Sequence, residues 1–156
     1  MIRTEDVSIH DPEAKTIREK KISDLKNRVE AVNATQGAVL VSIHQNILPF
    51  SPEVRGAQVF YGRIPGSETL GEAVQLTLNR SVNGAHEKKD RPIDASIYLM
   101  KHVDCPAILV ECGFLSNPEE ALLLEEDSHQ KLLAAAIASG LLPEQGITEE
   151  VAENEE

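Results

Sequence analysis

Two residues in this chain interrupt apolar runs in a way that chemistry would use. In "AVLVSIHQN" an apolar run closes on His44, followed by the amides Gln45 and Asn46. In "PAILVECGFLSN" a second run closes on Glu111. Imidazole is a common nitrogen ligand for zinc. A carboxylate beside an activated water is the usual general base of hydrolysis. The pair therefore suggests a metal hydrolase, with His44 holding the metal and Glu111 moving protons. Each residue alone also has a plainer reading. A histidine at a strand end is commonly a hydrogen-bonded rim residue, and a glutamate there can cap a helix or meet a base.

The remaining histidines are less suggestive. His10 adjoins Asp11, His86 stands in a polar loop with lysines, His102 follows Lys101, and His129 opens the last helical segment. None forms the H-E-x-x-H spacing of a helical zinc site. There is no G-x-S-x-G nucleophile elbow and no glycine-rich phosphate loop.

Elements must bring His44 and Glu111 together. Ala38–His44 has no alternation and no charge before the histidine, the pattern of a strand buried on both faces of a parallel sheet. Ala57–Tyr61, "IYLMK" (Ile97–Lys101) and "AILVE" (Ala107–Glu111) read as further short strands, and "MIRTEDVSI" as a weak one. Helical spacing runs through residues 10–35, where Asp11 is the expected cap and Pro12 the first turn, with Ile17, Ile22, Leu25, Val29 and Val32 on one face. Ser67–Val82 reads as a second helix and residues 83–96 as a polar loop. A third helix should start at the cap Asn117 with Pro118 in its first turn. A last one should run from Asp127 and stop near Gly140. Without internal repeat or linker, this alternation predicts a single α/β domain over residues 1–142, a mostly parallel sheet flanked by helices. In such a sheet, ligands gather outside the carboxyl ends of the strands, where both His44 and Glu111 fall.

Composition narrows the partners. With 26 acidic and 15 basic residues, the formal charge is −11, which argues against nucleic acid, since phosphate binding needs clustered Lys and Arg. Much of the excess lies in "TEEVAENEE", so residues 143–156 are expected to be a solvated, disordered acidic tail. Aromatic residues are only 3%, so the core must be aliphatic. No apolar run approaches the ~18 residues of a membrane span, and the start lacks the apolar stretch of a signal peptide. Cys105 and Cys112 lack metal or redox spacing and read as small core residues, unpaired with each other.

Three blocks, "LVSIHQN", "GAQVFYG" and "PAILVECGFLSNPEEALLL", together resemble the zinc-dependent N-acetylmuramoyl-L-alanine amidases of the Amidase_3 family. The run "RTEDVSIHDPEAKTIREKKISDLKNRVEAVN" is similar to their spore-cortex branch. The likeness extends to about Leu142. It implies cleavage of the amide between the lactyl group of N-acetylmuramic acid and L-alanine in peptidoglycan, outside the cytoplasmic membrane, with a possible helper protein. It makes His44 a zinc ligand and Glu111 the catalytic acid/base. Asn46, Gly56, Gly113, Phe114, Ser116 and Asn117 fill other motif positions that shape the site. Lys88, Lys89 or Arg91 could meet the carboxylates of the stem peptide.

The likeness also implies a gap. The family opens on a strand ending in "DPGHGG"-like sequence, whose histidine is the first zinc ligand, and a glutamate on the next helix is the second. Both stand upstream of the block resembling "RTEDVS", just before which residue 1 falls. His10 and Glu5 do not replace them, because they sit inside a segment with its own counterpart. The expectation is thus a chain lacking the first strand and helix, with an incomplete zinc site and no turnover of its own. A catalytically silent module that binds peptidoglycan or a partner is the alternative. An unrelated α/β protein with structural His44 and Glu111 is a third reading.

Overall fold

A computed structural model of the chain describes residues 2, 5 and 7–142. Its elements follow the order α1 (Ile17–Asn33), β1 (Leu40–Asn46), β2 (Gln58–Tyr61), α2 (Ser67–Leu78), β3 (Arg91–Pro92), α3 (Tyr98–His102), β4 (Ala107–Phe114), α4 (Pro118–Glu125) and α5 (Asp127–Leu141). A π-helical turn, Asn79–Asn83, extends α2. The four strands form one sheet in the order β1-β4-β2-β3. The β1–β4 and β2–β3 pairs are parallel, and β2 runs antiparallel to β4. The chain is thus an α/β domain with a mostly parallel sheet.

Period-two alternation along β4 gives each side of the sheet its own core. Ile108, Val110 and Cys112, with Val59 of β2, pack against Val74 and Leu78 of α2, Leu124 of α4, and Leu133, Ala136 and Ile137 of α5. Ala107 and Leu109, with Leu40, pack on the other side against Val32 of α1, Met100 of α3 and Val103. Where α5 crosses α2, a Cβ on Gly140 would lie 2.6 Å from the Val74 Cα. Gly140 is therefore an approach point between the two helices, and α5 stops beside it, at Leu141, as expected.

Several expectations are corrected. The first helix starts at Ile17, not after Asp11, because Thr16 and Glu19 form a capping box. The Glu19 N–H donates to Thr16 Oγ1 at 3.2 Å and the Thr16 N–H to Glu19 Oε2 at 2.9 Å. Asp11 instead ties the extended segment before α1 to the helix flank, accepting from Ser23 Oγ at 2.7 Å and Asn27 Nδ2 at 2.9 Å. Ile17 and Ile22 are exposed, so α1 packs mainly through its second half, at Val29 and Val32. The opening strand is not formed at its described residues, 2, 5 and 7–9. "IYLMK" lies in a short helix, Tyr98–His102, which buries Met100. A five-residue apolar run carries no period that separates strand from helix.

The strand bearing His44 is also displaced, to Leu40–Asn46. Among the described residues it pairs only with β4. It lies at the edge of the sheet formed by the described residues, and its faces are only partly buried, with Val39 and Ile43 about half exposed, at 51% and 54%. The other boundaries hold to within a few residues, including Asn117 as cap of α4 with Pro118 behind it. The acidic tail expected over 143–156 lies outside the described residues.

Candidate active site

The parallel register of β1 and β4 sets His44 directly opposite Glu111. Cross-strand partners present their side chains to the same face of a sheet. The imidazole and the carboxylate thus stand side by side where both strands near their carboxyl ends, as the apolar-run-then-polar pattern predicts. Immediately beyond, the register shifts, since His44 pairs with Glu111 but Asn46 with Phe114. The extra residue lies in β4, at Cys112–Gly113, and such a bulge re-aims side chains at the end of a ladder.

The environments of the two residues differ. His44 is exposed, and Ser42, two residues back on the same face, fixes its ring by an Oγ–Nε2 contact of 2.9 Å. Nδ1 takes no hydrogen bond among the described residues. His44 and Ser42 also line a groove of about 1030 Å³ between β1 and α1, walled opposite by Leu25 and Arg28. Glu111 is partly sheltered, and its Oε2 is buried with no hydrogen-bond partner. Burial pushes its carboxyl above the usual carboxylate range, and the charge of His44 opposes that rise. A carboxylate with a raised pKa and an unused oxygen is suited to take and return a proton.

Glu120, which the sequence reading passed over, braces this end of the sheet. It is 6% exposed. Its Oε1 accepts the Gly56 N–H and its Oε2 the Phe114 N–H, both at 2.7 Å. One carboxylate therefore ties the start of β2 to the end of β4. A Cβ on Gly113 would fall 2.8 Å from the Glu120 Cδ, so this position needs glycine for space. Gly56 needs it twice over, with φ +99° and a Cβ position 2.7 Å from the His86 carbonyl oxygen.

The other motif residues shape the surrounding turns. Asn117 caps α4 by accepting the Glu120 N–H at 3.0 Å, and its Nδ2 donates to the Pro52 carbonyl at 2.8 Å. Ser116 Oγ accepts the Leu48 N–H, and the Asn46 carbonyl accepts the Leu115 N–H. Cys112 points away from Glu111 into the core, a free thiol 5% exposed, as its place next to Glu111 on a strand predicts. Burial, with Glu111 adding to it, pushes that thiol up to about 11. Cys105 is likewise free.

Two of the remaining histidines have partners of their own. His10 Nδ1 meets Ser8 Oγ at 2.9 Å, and His102 stacks on Tyr98 of its own helix. Among the described residues no group of three His, Cys, Asp or Glu side chains could hold a metal ion. Catalytic zinc needs three protein ligands and an open position. His44 supplies one donor, so the described residues do not by themselves fit a zinc centre.

Comparison with known proteins decides the family. The family profile described as Amidase_3, N-acetylmuramoyl-L-alanine amidase, matches residues 1–143. The chain belongs to this amidase family. Within it, the chain falls in the CwlD-like branch. It is 36% identical over 143 residues to the germination-specific N-acetylmuramoyl-L-alanine amidase of Bacillus subtilis (strain 168), covering 91% of this chain. The chain spans 59% of the length of that relative. The solved CwlD amidase of Clostridioides difficile, in complex with the GerS lipoprotein, superposes with a TM-score of 0.83 at 37% identity, over 90% of this chain and 71% of that one. An N-acetylmuramoyl-L-alanine amidase from Clostridium difficile 630 matches with a TM-score of 0.68 at 30% identity, over 75% of this chain and 62% of the other.

Proposed function

We propose that this chain is an amidase domain acting on the peptidoglycan bond between N-acetylmuramic acid and L-alanine, in the cell wall or spore cortex outside the cytoplasmic membrane. The observation that carries the reading is the register pair His44–Glu111 with the unused, buried Glu111 oxygen. Residues 1–142 act as one domain of this type.

Glu111 takes the proton of the attacking water and hands it to the departing alanine nitrogen, so one group serves as base and then acid. Burial raises its proton affinity toward that double role. Ser42 orients the His44 ring. His44 is the zinc ligand this chain contributes. With one donor of three among the described residues, this chain binds zinc weakly and does not turn over substrate alone. The single donor among the described residues also favours a second reading, a catalytically silent module that binds peptidoglycan or a protein partner. The solved relative bound to a lipoprotein supports a helper protein as that partner.

The test is release of new N-terminal alanine from purified peptidoglycan, run beside a zinc titration. The expected result for residues 1–156 is no release and no stoichiometric zinc. In a protein with the full length of the Bacillus subtilis relative, Glu111→Gln should abolish release and keep zinc, whereas His44→Ala should lose both. Turnover by the present chain alone would overturn the ligand assignment. Full activity of Glu111→Gln would overturn the role given to the carboxylate.

A further inference from the structure

The row that joins His44 to Glu111 continues one strand further. Gln58 of β2 is the antiparallel register partner of Glu111. Imidazole, carboxylate and carboxamide therefore stand in one line across three adjacent strands, on one face of the sheet. Gln58 breaks the otherwise apolar strand "QVFY", as His44 and Glu111 break theirs.

Its amide is held in place. Gln58 Nε2 donates to the Lys89 carbonyl at 2.8 Å. That carbonyl belongs to a loop which is itself pinned. Asn79 donates to the Lys88 carbonyl at 2.8 Å and accepts the Lys88 N–H at 3.0 Å. The Lys88 ammonium sits 5.7 Å from the Phe114 ring centroid. With Nε2 anchored to a fixed loop, the orientation of the carboxamide plane is constrained. Its Oε1 takes no hydrogen bond among the described residues, and the side chain is partly exposed. The result is a neutral acceptor, oriented in advance, beside the carboxylate that moves the proton.

We infer that Gln58 is a substrate-positioning residue whose Oε1 accepts the N–H of the scissile amide. This rests on the amidase reading of the His44–Glu111 site. A neutral acceptor suits that task, because a second carboxylate next to Glu111 would repel its charge. It also gives the site a means of choosing an amide over an ester, since only the amide offers a donor, and an acceptor desolvated without one is penalised.

The test compares binding of two probes to the full chain by NMR titration. The probes are N-acetylmuramoyl-L-alanyl-D-isoglutamine and the same compound with the scissile N–H replaced by oxygen. The native chain should prefer the amide by about three- to ten-fold, the value of one hydrogen bond. Gln58→Met, of similar length without the carboxamide, should bind both alike. Asn79→Ala loosens the loop that fixes the carboxamide but keeps Gln58, and should weaken the preference without abolishing it, whereas Gln58→Met abolishes it. Equal binding of both probes by the native chain, or a preference that survives in Gln58→Met, would overturn the inference and leave the amidase reading standing. Failure of the native chain to bind either probe would overturn both.

Discussion

The residue on which the geometry of this site most depends is not one that does chemistry. Glu120 accepts two backbone N–H groups from segments more than fifty positions apart, Gly56 and Phe114. Glu120→Ala leaves both donors buried and unsatisfied, at about 1–3 kcal/mol each. The expected outcome is a lower denaturation midpoint and faster amide exchange at Gly56 and Phe114, with Glu120→Gln recovering only part because its amide has one carbonyl acceptor. An unchanged midpoint in Glu120→Ala would show that other groups hold these strand ends. His44 and Glu111 were legible in the sequence because each breaks an apolar run. Glu120 was not. In "NPEEALLL" it reads as ordinary first-turn acid near a helix N-terminus, and only folding brings Gly56 to it.

Among the elements, α1 shows how a segment without strand or helix is kept in place. Ahead of the helix, the Ile9 N–H donates to Asp24 Oδ1 at 2.8 Å, and Asn27 Nδ2 donates to the Ile9 carbonyl at 2.7 Å. The Arg28 Nε bonds to Asp24 at 2.6 Å on the same face and holds its carboxyl at about 2, below the usual range. A depressed carboxylate adds stability that is present above the unfolded pKa and lost as pH falls through the folded one. Asp24→Asn should therefore be less stable than the native chain near neutral pH, with the gap closing as pH drops toward about 2. Urea melts across that range check it, and a gap that widens in acid would reverse the sign. This network explains the misplaced helix start. Asp-Pro resembles an N-terminus, but the Thr16–Glu19 box lies five residues on, and Asp11 is taken by Ser23 and Asn27.

For the whole molecule, sequence patterns captured the α/β class, the parallel β1–β4 pair and its polar ends. They overstated how deeply β1 is buried. An apolar run such as "AVLVSIH" carries no sign of how many neighbours its strand has, and the structure gives β1 one among the described residues. Ile43 and Val39 are left half exposed there, beside the groove that His44 lines. An open apolar edge strand is a template for pairing with another strand. The other flank of the sheet is closed differently. Where β3 ends, side-chain amides take over the backbone of β2. Gln75 holds Val59 N–H and the Ala57 carbonyl, and Asn83 holds Ala57 N–H and the same carbonyl.

That substitution of amides for a strand gives the protein a built-in chemical clock. Asn83 is followed by Gly84, a sequence in which the unhindered glycine nitrogen can attack the asparagine side-chain carbonyl and expel ammonia, giving a cyclic imide that water opens to aspartate or isoaspartate. In the fold the attack is blocked while Asn83 keeps its bonds to Ala57 and Asn79. Once converted, a carboxylate would face the Ala57 carbonyl where an amide donor stood, and β2 would lose part of its clasp just ahead of Gln58. Ageing at this dipeptide should therefore be slow in the native state and fast in urea, read as the mass gain of an amide-to-acid exchange in the peptide holding Asn83. Equal rates would mean that the amide is not locked. Protein converted in this way should show a loosened Ala57 backbone, in step with that mass gain, because Asn83 is one of the two side chains that hold it.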